Sequence, residues 1–276
     1  MTDQHGLSYC ADMVRRLDKD RFLTALFAPE PARSRLMALY AFNLEVARTR
    51  ENVSEPMIGE IRLQWWRDAL DAIYKGAPPE HEVAQALAQA IEASGLERGP
   101  LDRLIDARTF DLYDEPMQTR ADLRAYLNGT SSALLEAAID LIGSGGVEQE
   151  TIEAAGQAWG LTGLLRALPI HIQRRQQFIP TEVLGRHNVA WSDFEDGNRT
   201  KTAPVISDLA DRARAEISKL KSVTKNVRPV FLPASIARLY LRELAQPNCD
   251  PCTTIIDVPV FRKQASMIWR SLSGRL

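Results

Sequence analysis

Along most of this chain apolar residues recur every three or four positions, the spacing of an amphipathic helix. Between Arg33 and Asn52 they fall at Leu36, Leu39, Tyr40, Leu44 and Ala47. Pro56 opens a second run, Met57 to Lys75, with Ile61, Trp65, Leu70 and Ile73 on or near one stripe; Gly76 and the Pro78–Pro79 pair close it. The alanine-rich His81–Ala93 follows and ends at Gly95. After it come Leu101–Leu112, Ala121–Ile142, Thr151–Ile172, Ser207–Val223, Val230–Leu244 and Val260–Leu272. No stretch of alternating β-branched residues is long enough to predict a strand. The pattern predicts about nine helices with short links, an all-α fold in one domain over residues 1–276. No fixed period repeats, which argues against a helical solenoid.

Two segments break the pattern. Phe178–Pro204 contains Pro180, Gly185, Gly197 and Asn198. It reads either as a functional loop or as a surface crossing with a short helix near Ser192–Glu195. Gln246–Pro259 is the second. In the last helix, Val260, Phe261, Ala265, Ile268, Trp269 and Leu272 form an apolar stripe with Arg262, Lys263 and Arg270 beside it. A basic amphipathic helix can lie on a membrane, but the plainer expectation is that this stripe seals a helical core.

Composition narrows the picture. Of 276 residues, 45% are hydrophobic and 25% charged, ordinary for a globular chain, and the formal charge of −2 provides no global footprint for nucleic acid. No apolar run is long enough to span a membrane, and the N-terminus has neither a secretory signal nor a transit-peptide character. Three cysteines suit a reducing compartment. The expectation is a cytoplasmic protein.

Candidate chemistry is thin. None of the four histidines pairs with another at a metal-ligand spacing, and the zincin, P-loop and nucleophile-elbow motifs are missing. Cys249 and Cys252 form a lone CxxC without the second pair of a zinc site or the βαβ setting of a redox motif. Carboxylates three or four apart on one helical face can hold Mg²⁺ against a diphosphate. Asp68/Asp71, Asp102/Asp106, Glu51/Glu55, Asp111/Asp114 and Asp208/Asp211 have such spacing, although solvated helix faces produce it too. Gly156, Gly160 and Gly163 lie within one helical run, where each costs about 1 kcal/mol relative to alanine, so the helix is expected to pack closely against a neighbour. Arg166, His171, Arg174 and Arg175 follow as a basic cluster.

Taken together, these residues resemble the squalene/phytoene synthase family. The landmarks are Leu36–Phe42 (LMALYAF), Ile61–Tyr74 (IRLQWWRDALDAIY), Leu104–Leu112 (LIDARTFDL), Asp122–Tyr126 (DLRAY), Gly156 with Ala158, Leu164–Arg166 (LLR) and Phe178–Pro180 (FIP). The resemblance implies an all-α, isoprenoid-synthase-like helical bundle. Its active members join two prenyl diphosphates, holding Mg²⁺ with two DxxxD motifs on facing helices. Here the aspartate positions of the first motif are Ala47 and Glu51, and those of the second are Ala167 and His171. Gly160 and Gly163 stand where the second motif has its glutamine and asparagine.

The chain is more similar to a branch of the family that includes a respiratory complex I assembly factor. Asn43 with Glu45, Val53–Glu55, Ile58–Gly59, Arg166 with Pro169, and Arg174–Arg175 with Phe178 and Pro180 carry that likeness. It implies a non-catalytic protein with no cofactor, whose partner is a subunit of a respiratory complex or an isoprenoid or other lipid, with peripheral contact at the inner membrane. The alternative is an active prenyl transferase with Mg²⁺ or a rebuilt diphosphate site. In that case Arg48, Arg50, Arg166, Arg174 and Arg175 are the expected anion ligands. Tyr40, Phe42, Asn43, Trp65 and Tyr126 are expected to line the family's cavity under either reading.

Overall fold

A computed structural model describes residues 3–143 and 146–274, with backbone alone for residues 3–7. Among the described residues there is no strand. The helices, in chain order, are α1 (Asp3–Leu17), α2 (Lys19–Ala25), α3 (Ala32–Ala47), α4 (Pro56–Tyr74), α5 (Glu82–Ser94), α6 (Gly99–Ala107), α7 (Arg120–Leu127) and α8 (Ala133–Leu141). Then follow α9 (Gln149–Arg166), α10 (Leu168–Gln173), α11 (Thr181–Arg186), α12 (Trp191–Glu195), α13 (Arg199–Ser218), α14 (Arg228–Leu244) and α15 (Val260–Ser273).

Periodicity placed the long helices and missed several breaks. The run expected over Ala121–Ile142 is interrupted by a π turn at Asn128–Ser132, whose sequence NGTSS brings side chains that compete for backbone partners. Thr130 Oγ1 donates to the Tyr126 carbonyl at 2.7 Å, and Gln157 Nε2 donates to Asn128 Oδ1 at 2.6 Å. The run expected over Thr151–Ile172 divides at Ala167, because Pro169 in the first turn of α10 cannot continue α9. Asn198 caps α13, accepting from the Lys201 amide, so that helix begins eight residues earlier than Ser207 and takes Pro204 into its second turn. The segment read as a loop or surface crossing thus holds α11 and α12, the latter at the short helix expected near Ser192–Glu195. α1 and α2 were not expected. α1 buries Cys10, Met13 and Val14, too short a stripe to register as a period.

The described residues gather into two compact units. The first comprises Met1–Tyr113, Ala133–Glu148 and Val223–Pro233. At its centre α3 is buried at every position from Leu36 to Leu44 and is packed by α1, α2, α5, α6 and α8. A helix apolar all round belongs inside a core. α4 packs through Gly59, Leu63, Trp66, Ala69, Leu70 and Ile73. Gly59 sets that face, since Leu112 comes so close that a Cβ there would collide with it. Ile61 and Trp65, expected on the inward stripe, are therefore turned out, 63% and 40% exposed.

The second unit comprises Asp114–Ser132, Gln149–Ser222 and Ala234–Leu276. Its central helix is α9, packed by α7, α10, α13 and the π turn. An ideal Cβ on Gly156 would meet the Ser132 backbone at 2.5 Å and 2.6 Å, and one on Gly160 would meet Ser131 Oγ at 2.6 Å. The close approach expected of these glycines is therefore present at two of them; beyond the backbone of its own helix, nothing lies within 4 Å of an ideal Cβ on Gly163.

Candidate functional site

α3 ends at the first position of one degenerate motif, and α9 ends one residue before the first position of the other. α3 stops at Ala47, Arg48 is its C-cap, and Glu51 lies in the 3₁₀ turn Arg50–Asn52. Thr49 Oγ1 donates back to the Glu45 carbonyl at 3.2 Å. Side chains four apart share a face only while the helix runs through both. At this end the helix gives out at the first position. The Glu51 carboxylate accepts from Arg48 Nε at 2.8 Å, so both groups are engaged with each other. Arg50, in the same turn, is half-buried.

Of the residues expected to line a cavity in this unit, Tyr40, Phe42 and Asn43 are buried, whereas Trp65 is turned out. Burial pushes the Tyr40 hydroxyl above its ordinary pKa despite Arg21, whose guanidinium lies 5.9 Å from the ring centre. Phe42 meets Trp66 edge-on at 5.0 Å, and Trp66 meets Trp65 at 4.9 Å.

In the second unit α9 ends at Arg166, and Ala167 is the N-cap of α10. The His171 ring lies 4.7 Å from that of Phe178, tilted by 53°, and the Phe178 ring lies 5.4 Å from that of Tyr126. Burial, helped by the charge of Arg174, lowers the His171 pKa from 6.5 to about 4, so the imidazole is neutral at pH 7. The space beside it, walled by Leu123, Leu165, Phe178, Trp191 and Leu209, is about 10 Å³, at the lower limit for one water. Arg174 and Arg175 end α10 with exposed side chains, and Arg175 takes the left-handed backbone conformation with φ 57°.

Arg166 is held by the C-terminal segment of its own unit. Its guanidinium carbon lies 3.6 Å from the centre of the Tyr240 ring and 5.9 Å from that of Trp159, and Nε donates to the Ile256 carbonyl at 3.4 Å. Lys263 Nζ is 5.0 Å from the Tyr240 ring centre and 2.8 Å from Asp257 Oδ1. Sequence reasoning missed Tyr240 and Asp257, and read Lys263 only as a cation beside the apolar stripe of the last helix.

Most of the spaced carboxylates are engaged by arginine. Arg98 takes both Asp71 and Asp102, and its hydrogen bond holds Asp71 below the usual carboxylate range. Arg67 takes Asp106 at 2.8 Å, Arg108 takes Asp111 at 3.0 Å, and Arg214 takes Asp211 at 2.6 Å. Asp208 accepts from Arg120 and lies 3.1 Å from His187 Nε2. Asp68 accepts from Gln64 Nε2 at 2.8 Å.

Mg²⁺ is a hard cation that needs oxygen donors. The four motif positions provide one carboxylate, already bound to Arg48, and one neutral imidazole among apolar side chains; this donor set does not fit the ion. Among the described residues, no group of three or more His, Cys, Asp and Glu side chains is placed to hold a metal. The thiols are no better placed for chemistry. Burial raises the pKa of all three, that of Cys10 to about 12.

Helices arranged in this way define the isoprenoid-synthase class of all-α protein. A solved dehydrosqualene synthase, crystallised in complex with a ligand, superposes with a TM-score of 0.82 at 18% identity, covering 98% of this chain and 96% of that one. Residues 14–267 match the squalene/phytoene synthase family model, and the chain belongs to that family. It is 32% identical over 248 residues to the rat (Rattus norvegicus) NADH dehydrogenase (ubiquinone) complex I, assembly factor 6, covering 88% of this chain and 74% of the relative. To the 15-cis-phytoene synthase of Synechocystis it is 28% identical over 228 residues, covering 76% of this chain and 66% of the relative. Among the described residues, no helix is long and apolar enough to cross a membrane.

Proposed function

We propose that this chain is a non-catalytic member of its family that assists the assembly of respiratory complex I, working without Mg²⁺. The observation that carries the reading is the shared ending of α3 and α9. α3 stops at the first position of one degenerate aspartate motif and α9 one residue before the first position of the other, and the carboxylate and imidazole that follow are engaged locally. Ionising a prenyl diphosphate requires positive charge where the leaving group departs. Arg48 and Arg166, two of the cations expected for a rebuilt site, are occupied by Glu51 and by Tyr240 with the Ile256 carbonyl. The assembly role takes its support from the rat relative, more similar to this chain than the Synechocystis synthase. On this reading the partner is a subunit or subcomplex of complex I. A long apolar molecule, an isoprenoid or another lipid, is the ligand class that the family's fold suggests.

Deletion of the gene in its own host tests the proposal. The expected result is a loss of assembled complex I and of its NADH oxidation, restored by the wild-type chain and equally by an Arg166→Ala variant that still folds. Purified protein incubated with farnesyl diphosphate and Mg²⁺ is expected to yield no C30 product. Unchanged complex I in the deletion strain, or product formation in vitro, would overturn the reading.

A further inference from the structure

Two features of the second unit stand apart from the motif positions. One is α15, which turns its apolar stripe outward and so corrects the expectation that it seals a core. Phe261, Ile268, Trp269 and Leu272 are exposed, and Lys263 and Met267 are its buried positions. The other is a cavity of about 230 Å³ between α13 and residues 244–251. Its origin is visible in the sequence of α13. Arg199, Ala203, Ser207, Ala210 and Arg214 follow at spacings of three or four, so they share one face of the helix. The long side chains at the two ends tie that face to the opposite wall. Arg199 donates to the Pro247 carbonyl, and Arg214 Nη2 donates to the Leu241 carbonyl at 2.8 Å. About 22 Å of helix separates the two ties. Between them the side chains are small, and Ala245 on the far side is small too, so the walls stay apart.

The lining decides what kind of molecule fits. Ile206, Ala210 and Pro251 are buried and form the floor, while Ala203 and Pro247 are exposed and form the rim. Among the described residues, no carboxylate lines the cavity. Its guanidiniums are spent on the walls, and Arg214 also takes Asp211 at 2.6 Å. The buried Thr202 hydroxyl donates to the Asn198 carbonyl at 3.1 Å. Among the described residues of the lining, none has a buried side-chain nitrogen or oxygen without a partner. A charged guest would lose its hydration there without gaining partners, so the floor suits an uncharged, apolar one. Size sets the other limit. Drug-sized ligands occupy about 300–1,000 Å³, and an apolar cavity of about 150 Å³ takes a single benzene ring. The volume here lies between the two, room for a pair of fused rings. The ties close the cavity lengthwise, which excludes a long chain.

We infer that this cavity is a binding site for a compact, uncharged ring compound, separate from anything held at the motif positions. The inference does not rest on the assembly role, because it is read on the purified full-length chain. Indole is the probe. Cys249 lines the cavity and is half-buried, whereas Cys10 and Cys252 are buried, so alkylation of Cys249 by N-ethylmaleimide reports whether the cavity is filled. Indole binding is titrated by calorimetry, and labelling of each cysteine is followed by mass spectrometry. Binding is expected to saturate with a Kd of about 1 mM or tighter. Labelling of Cys249 should slow by the factor 1 + [indole]/Kd, about threefold at twice the Kd. Ser207 is exposed, and phenylalanine matches serine in helix propensity. Ser207→Phe therefore places a ring in the cavity without lowering the melting temperature, and should weaken indole binding about tenfold or more. Ser207→Ala adds no bulk and should bind as the wild type does. Indole that fails to saturate, binding that leaves Cys249 labelling unchanged, or unaltered affinity in the folded Ser207→Phe variant would each overturn the inference. Tighter, salt-sensitive binding of indole-3-acetate would overturn it as well, by revealing an anion site.

Discussion

Alanine substitutions at Gly156 and Gly163 of α9 should have opposite signs. Both residues lie inside one helix, where alanine is favoured over glycine by about 1 kcal/mol. At Gly163 no atom beyond the backbone of its own helix comes within 4 Å of the ideal Cβ, so Gly163→Ala should realise that gain. At Gly156 the added carbon would lie 2.5 Å from Ser132 Cα and 2.6 Å from its amide nitrogen. Carbon contacts relax near 3.5–4.0 Å, so α9 and the π turn would have to separate by about 1 Å. That strain falls on backbone, which has no rotamer to escape into, and overpacking of this kind costs about 3 kcal/mol. The net loss for Gly156→Ala is about 2 kcal/mol after the propensity gain, a melting temperature lowered by roughly 4–8 °C. Gly163→Ala should melt about 2–4 °C higher than the wild type. Thermal melts followed by circular dichroism, with guanidinium midpoints as a second measure, decide it. A Gly156→Ala protein as stable as the wild type would refute the argument from close approach.

Two further outcomes follow from the second unit. His171 has a folded pKa of about 4 against 6.5 unfolded, so its contribution to stability is complete above pH 6.5 and is lost as pH falls toward 4, by up to about 3 kcal/mol. Urea midpoints at pH 7 and pH 4.5 should therefore fall less for His171→Gln than for the wild type; equal falls would show that the imidazole is not the group responsible. Arg166→Lys retains the charge but loses the flat guanidinium over Tyr240, and should cost about 1 kcal/mol in chemical denaturation. No loss would mean that the stack contributes nothing.

How much of this was legible depended on what each pattern encodes. The all-α class followed from spacing, and α3 from the dense apolar run Leu36–Leu44. Period reveals that a stripe exists but not what it faces. Hence α4 was placed with Ile61 and Trp65 inward, when Gly59 and its close approach to Leu112 turn them out, and α15 was placed with its stripe on the core. Three glycines signalled tight packing, yet only the neighbour's position distinguishes Gly163 from the other two. The motif positions were located by resemblance. The break at Ala167 had a visible cause in Pro169, whereas Ala47, Arg48 and Thr49 include no helix breaker, and the end of α3 could not be read. Arg166 was noted as a cation. Its partners on α14 and in the Ile256 segment lie 74 and 90 residues downstream, beyond the reach of local pattern.

The stop after Ala47 also bears on reversibility. Aspartates written back at 47 and 51 would not project along one helical face, since α3 ends at the first of them. Recovery of a carboxylate metal site would require α3 to lengthen as well as the side-chain changes. For engineering, this means that restoring carboxylates at 47 and 51 without rebuilding the end of α3 would not restore the family's helical spacing.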